Sequence, residues 1–333
     1  MHRLNLATLV LALTCAGLLV TPPAAQAQEF TLRIGSVAPK GTPWSALLTR
    51  EKKRIQAESG GRIKVKTYLG GKLGSEGSLV RRCQKGQVGA IAVSNGAIGG
   101  AAPELYATEL PYLFDNYKQV DRALDASVDL VREILMKKGF VFHMWGENGF
   151  RHFASKQKFF KKPSDLKGMK MRAQPAQPHV DMYKALGASA ATIAVGEVTS
   201  SLANDVVSGY DNTLLYAYAT QWHKEVKYVT KSAHIYQAAV VTYCKAWFDT
   251  IPPDLQKVLL NAKASDVKKG RAAVRAMNKR LITEYAKSGI QIHNLTASEK
   301  AAFKKVTAGV HQRFLSNASA KGKELYQLLT SSR

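Results

Sequence analysis

A chain of 333 residues is long enough for one large domain or two ordinary ones. Its 46% hydrophobic and 22% charged residues, with no biased tract, exclude collagen-like, coiled-coil and disordered chains, and only three cysteines exclude a disulfide-built miniprotein. The 48 Lys+Arg against 24 Asp+Glu give +24, a field that attracts anions without choosing among nucleic acid, membrane surface and small acids.

The chain starts with the basic Met1-His2-Arg3, then an apolar run from Leu4 to Val20. Thr21-Pro22-Pro23 breaks any helix, and Ala25-Gln26-Ala27 offers the small residues a signal peptidase reads. The pattern predicts a secretory signal over residues 1–27, cleaved after Ala27, and a periplasmic protein. The run is short for a membrane span and no stop-transfer cluster follows it. Thr14 stands before Cys15 where a lipidation site needs a smaller residue. Export lowers the expectation of a nucleic-acid partner. It also permits a Cys83–Cys244 disulfide, with two buried thiols as the equal alternative.

Alternation at Phe30, Leu32 and Ile34 predicts a strand, followed by a helix over 45–59 that Gly60-Gly61 closes. A second strand at Ile63 to Thr67, a helix over 76–85 and an interior strand over 88–93 complete the alternation of an open α/β sheet. A helix over 119–137 and a strand over 140–145 follow. A second α/β stretch begins near Gly149, with a strand over 170–172, a helix over 177–186, a short helix over 196–203 and strands near 226–229 and 235–243. Past Pro252-Pro253 the pattern is long helices, over 254–288 and 297–329. Two α/β lobes with C-terminal helices place the natural ligand site in the cleft between lobes.

Chemistry-bearing motifs are sparse. The glycines at 70, 71, 74 and 77 lack dinucleotide or phosphate-loop spacing, and no HExxH, paired CxxC or GxSxG occurs. The histidines are scattered without metal-ligand spacing, so no catalytic residue, metal site or cofactor is expected. The basic runs at 50–54 and 268–280 fall on helical patterns and read as solvated faces that would steer small anions inward.

The run Asp165-Leu166-Lys167-Gly168-Met169-Lys170-Met171-Arg172 resembles the solute receptors of tripartite ATP-independent periplasmic (TRAP) transporters, the dicarboxylate-binding, DctP-type family. Gly60-Gly61-Arg62-Ile63, Gly71-Lys72-Leu73-Gly74, Leu110-Pro111-Tyr112-Leu113-Phe114, Leu186-Gly187-Ala188, Gly196-Glu197-Val198 and the 206–212 run follow that family's order. The resemblance implies a two-lobe periplasmic-binding-protein fold of α/β class, with an interlobe cleft and long C-terminal helices. Lobe I would comprise 28–148 plus about 238–276, and lobe II about 149–237 plus 277–333.

It implies also that Arg172 grips a substrate carboxylate through its planar fork, with Arg151 as a second cleft arginine and Asn212 as a donor. Ser94 and Asn95, ending an apolar strand, are expected as first-lobe cleft contacts; Tyr216, Trp44 and Trp145 are candidates for apolar walls, with core packing the stronger reading for each. Ser208 and Ala203-Asn204-Asp205 depart from the family pattern in the second-lobe wall. The implied protein is a receptor, not an enzyme. It would deliver an organic-acid anion to TRAP membrane subunits, as a monomer or as a homodimer paired through the C-terminal helices. A receptor for an ATP-driven transporter or sensor kinase, or an exported enzyme on the same lobes, are the competing readings.

Overall fold

The computed structural model describes residues 29–333; the expected signal segment, its cleavage point and Cys15 lie outside the described residues. The first lobe builds β1 (Phe30–Ser36), α1 (Pro43–Glu58), β2 (Ile63–Tyr68), α2 (Glu76–Gln84), β3 (Ala90–Ser94), α3 (Asn95–Ile98), α4 (Tyr117–Ala126) and α5 (Val128–Lys137). Strand β4 (Phe140–Ser155) crosses to a second lobe of β5 (Lys170–Ala173), α6 (Gln177–Ala185), β6 (Ser189–Thr192), α7 (Val198–Ala203), β7 (Gly209–Asn212) and α8 (Leu214–Ala219). Strand β8 (Tyr228–Cys244) returns, and α9 (Lys245–Phe248), α10 (Pro253–Leu260), α11 (Ala264–Lys287), β9 (Gln291–Asn294), α12 (Ala297–Asn317) and α13 (Ala320–Ser331) follow.

One nine-stranded sheet runs through both lobes in the order β2-β1-β3-β8-β4-β7-β5-β6, with β9 paired to β8. The outer pairs β1–β2, β1–β3, β5–β6 and β5–β7 are parallel, as helical crossovers require. Between them β4 and β8 run antiparallel along their whole length, with register shifts at Phe142/Met144, Glu147/Gly149 and Arg151/Phe153. These bulges bend the ladder where it leaves one lobe for the other.

Local chemistry accounts for the element ends. Thr42 caps α1 in a reciprocal box with Ser45, and Pro43 supplies the first turn without needing a donor. The helix expected over 119–137 divides into α4 and α5 because Ser127 sits between them and its hydroxyl donates to the Leu124 carbonyl. The expected 254–288 helix breaks before α11, and the 297–329 helix breaks at Ser319, which caps α13. The two strands expected near 226–229 and 235–243 are one strand, continued through Ala233 at φ 46°, whose N–H donates to the His152 ring. Strand β4 continues ten residues beyond the expected end at Trp145, through polar Glu147, Asn148 and Arg151.

Each lobe has its own core. The first is built around Leu79, Ile91, Leu113, Phe140 and Val240, and the second around Leu202, Tyr210, Leu215 and Trp222 on one side and Phe153, Met171 and Tyr183 on the other. Cys83 of α2 and Cys244 at the end of β8 form a disulfide inside the first core, which decides between the two cysteine readings. Helix α13 also packs there: its Leu325 and Leu329 join the first-lobe core, against the expectation that 277–333 belongs with lobe II. Its apolar positions meet the first lobe at α4, α5 and the 3-10 turn Pro103–Glu109. Helix α11 serves both lobes: Arg271 and Arg275 pair with Asp121 of α4, while Leu281 and Tyr285 sit in the second core.

Candidate functional site

Between the lobes lies a narrow cavity, with about 60 Å³ open to the centre of a water molecule inside an empty space of about 670 Å³ that includes its mouth. From the first lobe come the end of β1, Trp44 and Leu47 of α1, Glu76 and Ser94. From the second come Arg172 on β5, Gln174 just past its end, Asn212 on β7 and Tyr216 on α8. The crossing strands give the floor, with Asn148, Arg151 and Gln237 among its residues. The parallel strands β1, β3 and β5 present their carboxyl ends to it, the position at which open α/β sheets receive ligands.

The two arginines are in opposite states. Each of the three guanidinium nitrogens of Arg151 already has an acceptor. Nε donates to Asp211 at 2.6 Å, Nη1 to Gln174, Asn212 and Gln237 at 3.1, 3.2 and 2.8 Å, and Nη2 to the Asp211 carbonyl. Asp211 is fully buried; burial would raise its carboxyl, but the Arg151 charge and hydrogen bonds from His179 and His234 hold it well below the usual range. The pair is a neutral strut under the cavity. Arg172 is 1% exposed and has no carboxylate partner among the described residues. Its Nε and Nη2 donate to the Ile193 carbonyl at 3.0 and 2.8 Å, and its guanidinium lies 5.2 Å from the Trp222 ring centre. Nη1 has no acceptor among the described residues. Burial and the neighbouring Arg151 charge push this guanidinium down to about 10. A buried cation with a free donor, facing a cavity, is a site prepared for an anion.

Neutral groups surround it. Asn212 accepts from Arg151 and from the Thr213 N–H through Oδ1, leaving Nδ2 without a protein acceptor. Ser94 caps α3, and its hydroxyl donates to Glu76 at 2.9 Å and accepts from Gln174 Nε2 at 2.9 Å. Tyr216 lines the wall beside Trp44, ring centres 5.8 Å apart, and its hydroxyl donates to the Val37 carbonyl. Thus Arg172, Arg151, Asn212, Ser94 and Tyr216 come together on one cavity.

Asn95 and Trp145 do not. The chain turns into α3 immediately after Ser94, so Asn95 is buried behind the cavity with its Nδ2 donating to Thr108. Trp145 is in the first-lobe core, donating to the Leu124 carbonyl. Sequence reasoning missed Glu76, Asn148, Gln174 and Gln237. Gln174 stands two residues after Arg172, one past the end of β5, and could have been read by extending the strand period. Glu76 follows the glycine loop at the first position of α2, and the other two carry no local signal.

The lobes touch across this cavity. Gln174 reaches Ser94, His179 Nε2 meets Glu109 at 2.8 Å, and the Tyr112 N–H donates to the His234 carbonyl at 2.6 Å. Among the described residues no helix is long and apolar enough to cross a membrane, and no group of three or more His, Cys, Asp or Glu is placed to hold a metal ion.

Comparison with known proteins agrees with this geometry. The family model described as "Bacterial extracellular solute-binding protein, family 7" matches residues 34–317. A solute-binding protein of Verminephrobacter eiseniae is 29% identical over 294 residues, 87% of each chain. The C4-dicarboxylate-binding protein DctB of Bacillus subtilis is 26% identical, covering 86% of this chain and 82% of its own. A TRAP periplasmic solute-binding protein of Sulfurospirillum deleyianum, solved with succinate, shares the fold at TM-score 0.85 and 23% identity, covering 92% of this chain and 100% of its own.

Proposed function

Because this chain belongs to the bacterial extracellular solute-binding protein family 7, we propose that it captures an organic acid between its lobes and delivers it to the membrane subunits of a TRAP transporter. The observation that carries the choice of site is Arg172, a buried guanidinium that, among the described residues, has no partner at Nη1 and no salt bridge. A ligand carboxylate supplies both at once. Arg172 takes the acid, Asn212 and Asn148 offer neutral hydrogen-bonding groups, and Trp44 and Tyr216 exclude water from the wall. Lobe closure would proceed by bending of the β4–β8 ladder at its bulges, near Gly149 and Gln237. The lobes that move are 28–148 with about 238–276, and about 149–237 with the rest up to α12. The receptor would work in the periplasm after cleavage following Ala27. No bond is made or broken in the solute.

Titration calorimetry with a panel of organic acids tests this reading. Wild type binds at least one, and Arg172→Ala loses about 2–5 kcal/mol of that affinity, roughly thirtyfold or more. A panel in which nothing binds, or an Arg172→Ala variant that binds as tightly as wild type, would refute it.

A further inference from the structure

The charges around the cavity say more about the ligand than that it is an acid. Resting on the reading of Arg172 as the carboxylate's partner, we propose that the receptor accepts a carboxylate of single negative charge, and that Glu76 is the residue that rejects a second.

Tyr216 aside, the ionisable side chains lining the cavity are Glu76, Arg151 and Arg172. Arg151 is not available to a ligand charge. It is paired with Asp211 at 2.6 Å, and Asp211 is fully buried, so drawing Arg151 onto a ligand would strand that carboxylate without its cation. The second arginine, which could have received the far carboxylate of a diacid, is therefore a strut. Arg172 remains, one cation for one anion.

Glu76 adds an opposing group: burial raises its carboxyl above the usual range, against the Ser94 hydrogen bonds and the Arg172 charge, which favour the carboxylate. It stands at the first position of α2, held by the Ser94 N–H at 2.7 Å and the Ser94 hydroxyl at 2.9 Å, so its carboxylate is fixed in the cavity wall. These two bonds leave acceptor capacity on its oxygens, which suits a ligand hydroxyl and repels a ligand carboxylate. No salt bridge to Glu76 occurs among the described residues. A monocarboxylate on Arg172 thus closes the site with its one free cation answered. Counting Glu76, the monocarboxylate leaves the site one negative charge in excess and a dicarboxylate leaves two, the second out of water and beside Glu76.

The test uses pairs of acids that differ only in the far end: erythronate against meso-tartrate, galactonate against galactarate, and succinamate against succinate. Calorimetry at pH 7.5 and low ionic strength reads the affinity ratio within each pair. We expect the monoanion to bind at least tenfold tighter wherever either member binds, and Glu76→Gln, which keeps an acceptor for the Ser94 N–H, to shrink that ratio to about threefold or less. A wild-type receptor that binds the dianion as tightly as its partner overturns the charge rule while leaving the carboxylate site intact. So does a Glu76→Gln ratio equal to wild type in a variant that melts normally. If no acid binds, the reading of the site itself falls, and the charge rule with it.

Discussion

Arg172 carries its charge in a place that disfavours charge. Its guanidinium is buried beside the equally buried Arg151, and its one free donor meets no acceptor among the described residues. A group desolvated in this way without a counter-ion lowers the stability of the fold that holds it. Replacing it with an apolar side chain of similar length should therefore relieve the empty receptor while abolishing capture, the usual conflict between a prepared site and a stable one. Arg172→Met is expected to unfold at the same or a higher temperature than wild type without ligand, and to gain nothing on adding the acid. Wild type gains about 2.7 kcal/mol at one hundred times the dissociation constant. Scanning calorimetry of both proteins, with and without ligand, measures the four values. A ligand-free variant that melts well below wild type would mean that Arg172 supports the fold.

Among the elements, α1 and β4 are joined by a buried pair whose titration should be visible. His143 Nε2 meets Glu51 at 2.8 Å, and Arg54 completes the carboxylate's shell. Burial works against the Glu51 charge, yet the hydrogen bonds from His143 and Arg54 bring its carboxyl down to about 2. Burial also lowers the His143 imidazole below its usual 6.5, so the ring is neutral and donates from Nε2. Both shifts have the same sign for stability. The unfolded chain takes up protons first, at about pH 6.5 for the histidine and 4.5 for the acid, so stability is full above these values and declines as pH falls. Glu51 alone accounts for on the order of 3 kcal/mol, lost between about pH 4.5 and 2. Urea unfolding across that range should show the slope, and Glu51→Gln should flatten it. An unchanged slope would assign acid loss elsewhere.

The same elements explain what the sequence could express. β2 buries Ile63 and Val65 and exposes Lys64 and Lys66, and in β1 the exposed Arg33 separates buried Leu32 and Ile34, so these positions are readable. The crossing strands are covered on both faces by two lobes and a helix. Glu147 and Arg151 are buried there because Arg275 and Asp211 are waiting for them, partners more than fifty residues away that no local pattern announces. β6, β7 and β9 are four residues each, too short to show a period. Arg172 was legible because a local run of residues carried it. Glu76 became legible only when β3 brought Ser94 beside it.

At the scale of the molecule, the disulfide joins α2 to the last residue of β8, across 161 positions. A loop of that size restricts the unfolded chain strongly, and removing such a link costs about 2–5 kcal/mol. Cys83→Ser combined with Cys244→Ser is expected to lose that much by denaturant unfolding and to bind its acid as before, since both sulfurs are in the first-lobe core, away from the cavity. A matching loss of affinity would show that the bond also sets the resting angle between lobes.

The two crossing strands are neighbours in one ladder, and α11 lies across both halves beside them. With the passage from α12 to α13 the lobes are joined at four crossings, so they can part only along an arc that all four allow. A membrane subunit that empties such a receptor has to hold both lobes at once. Gripping one alone leaves the other free to swing shut on its cargo.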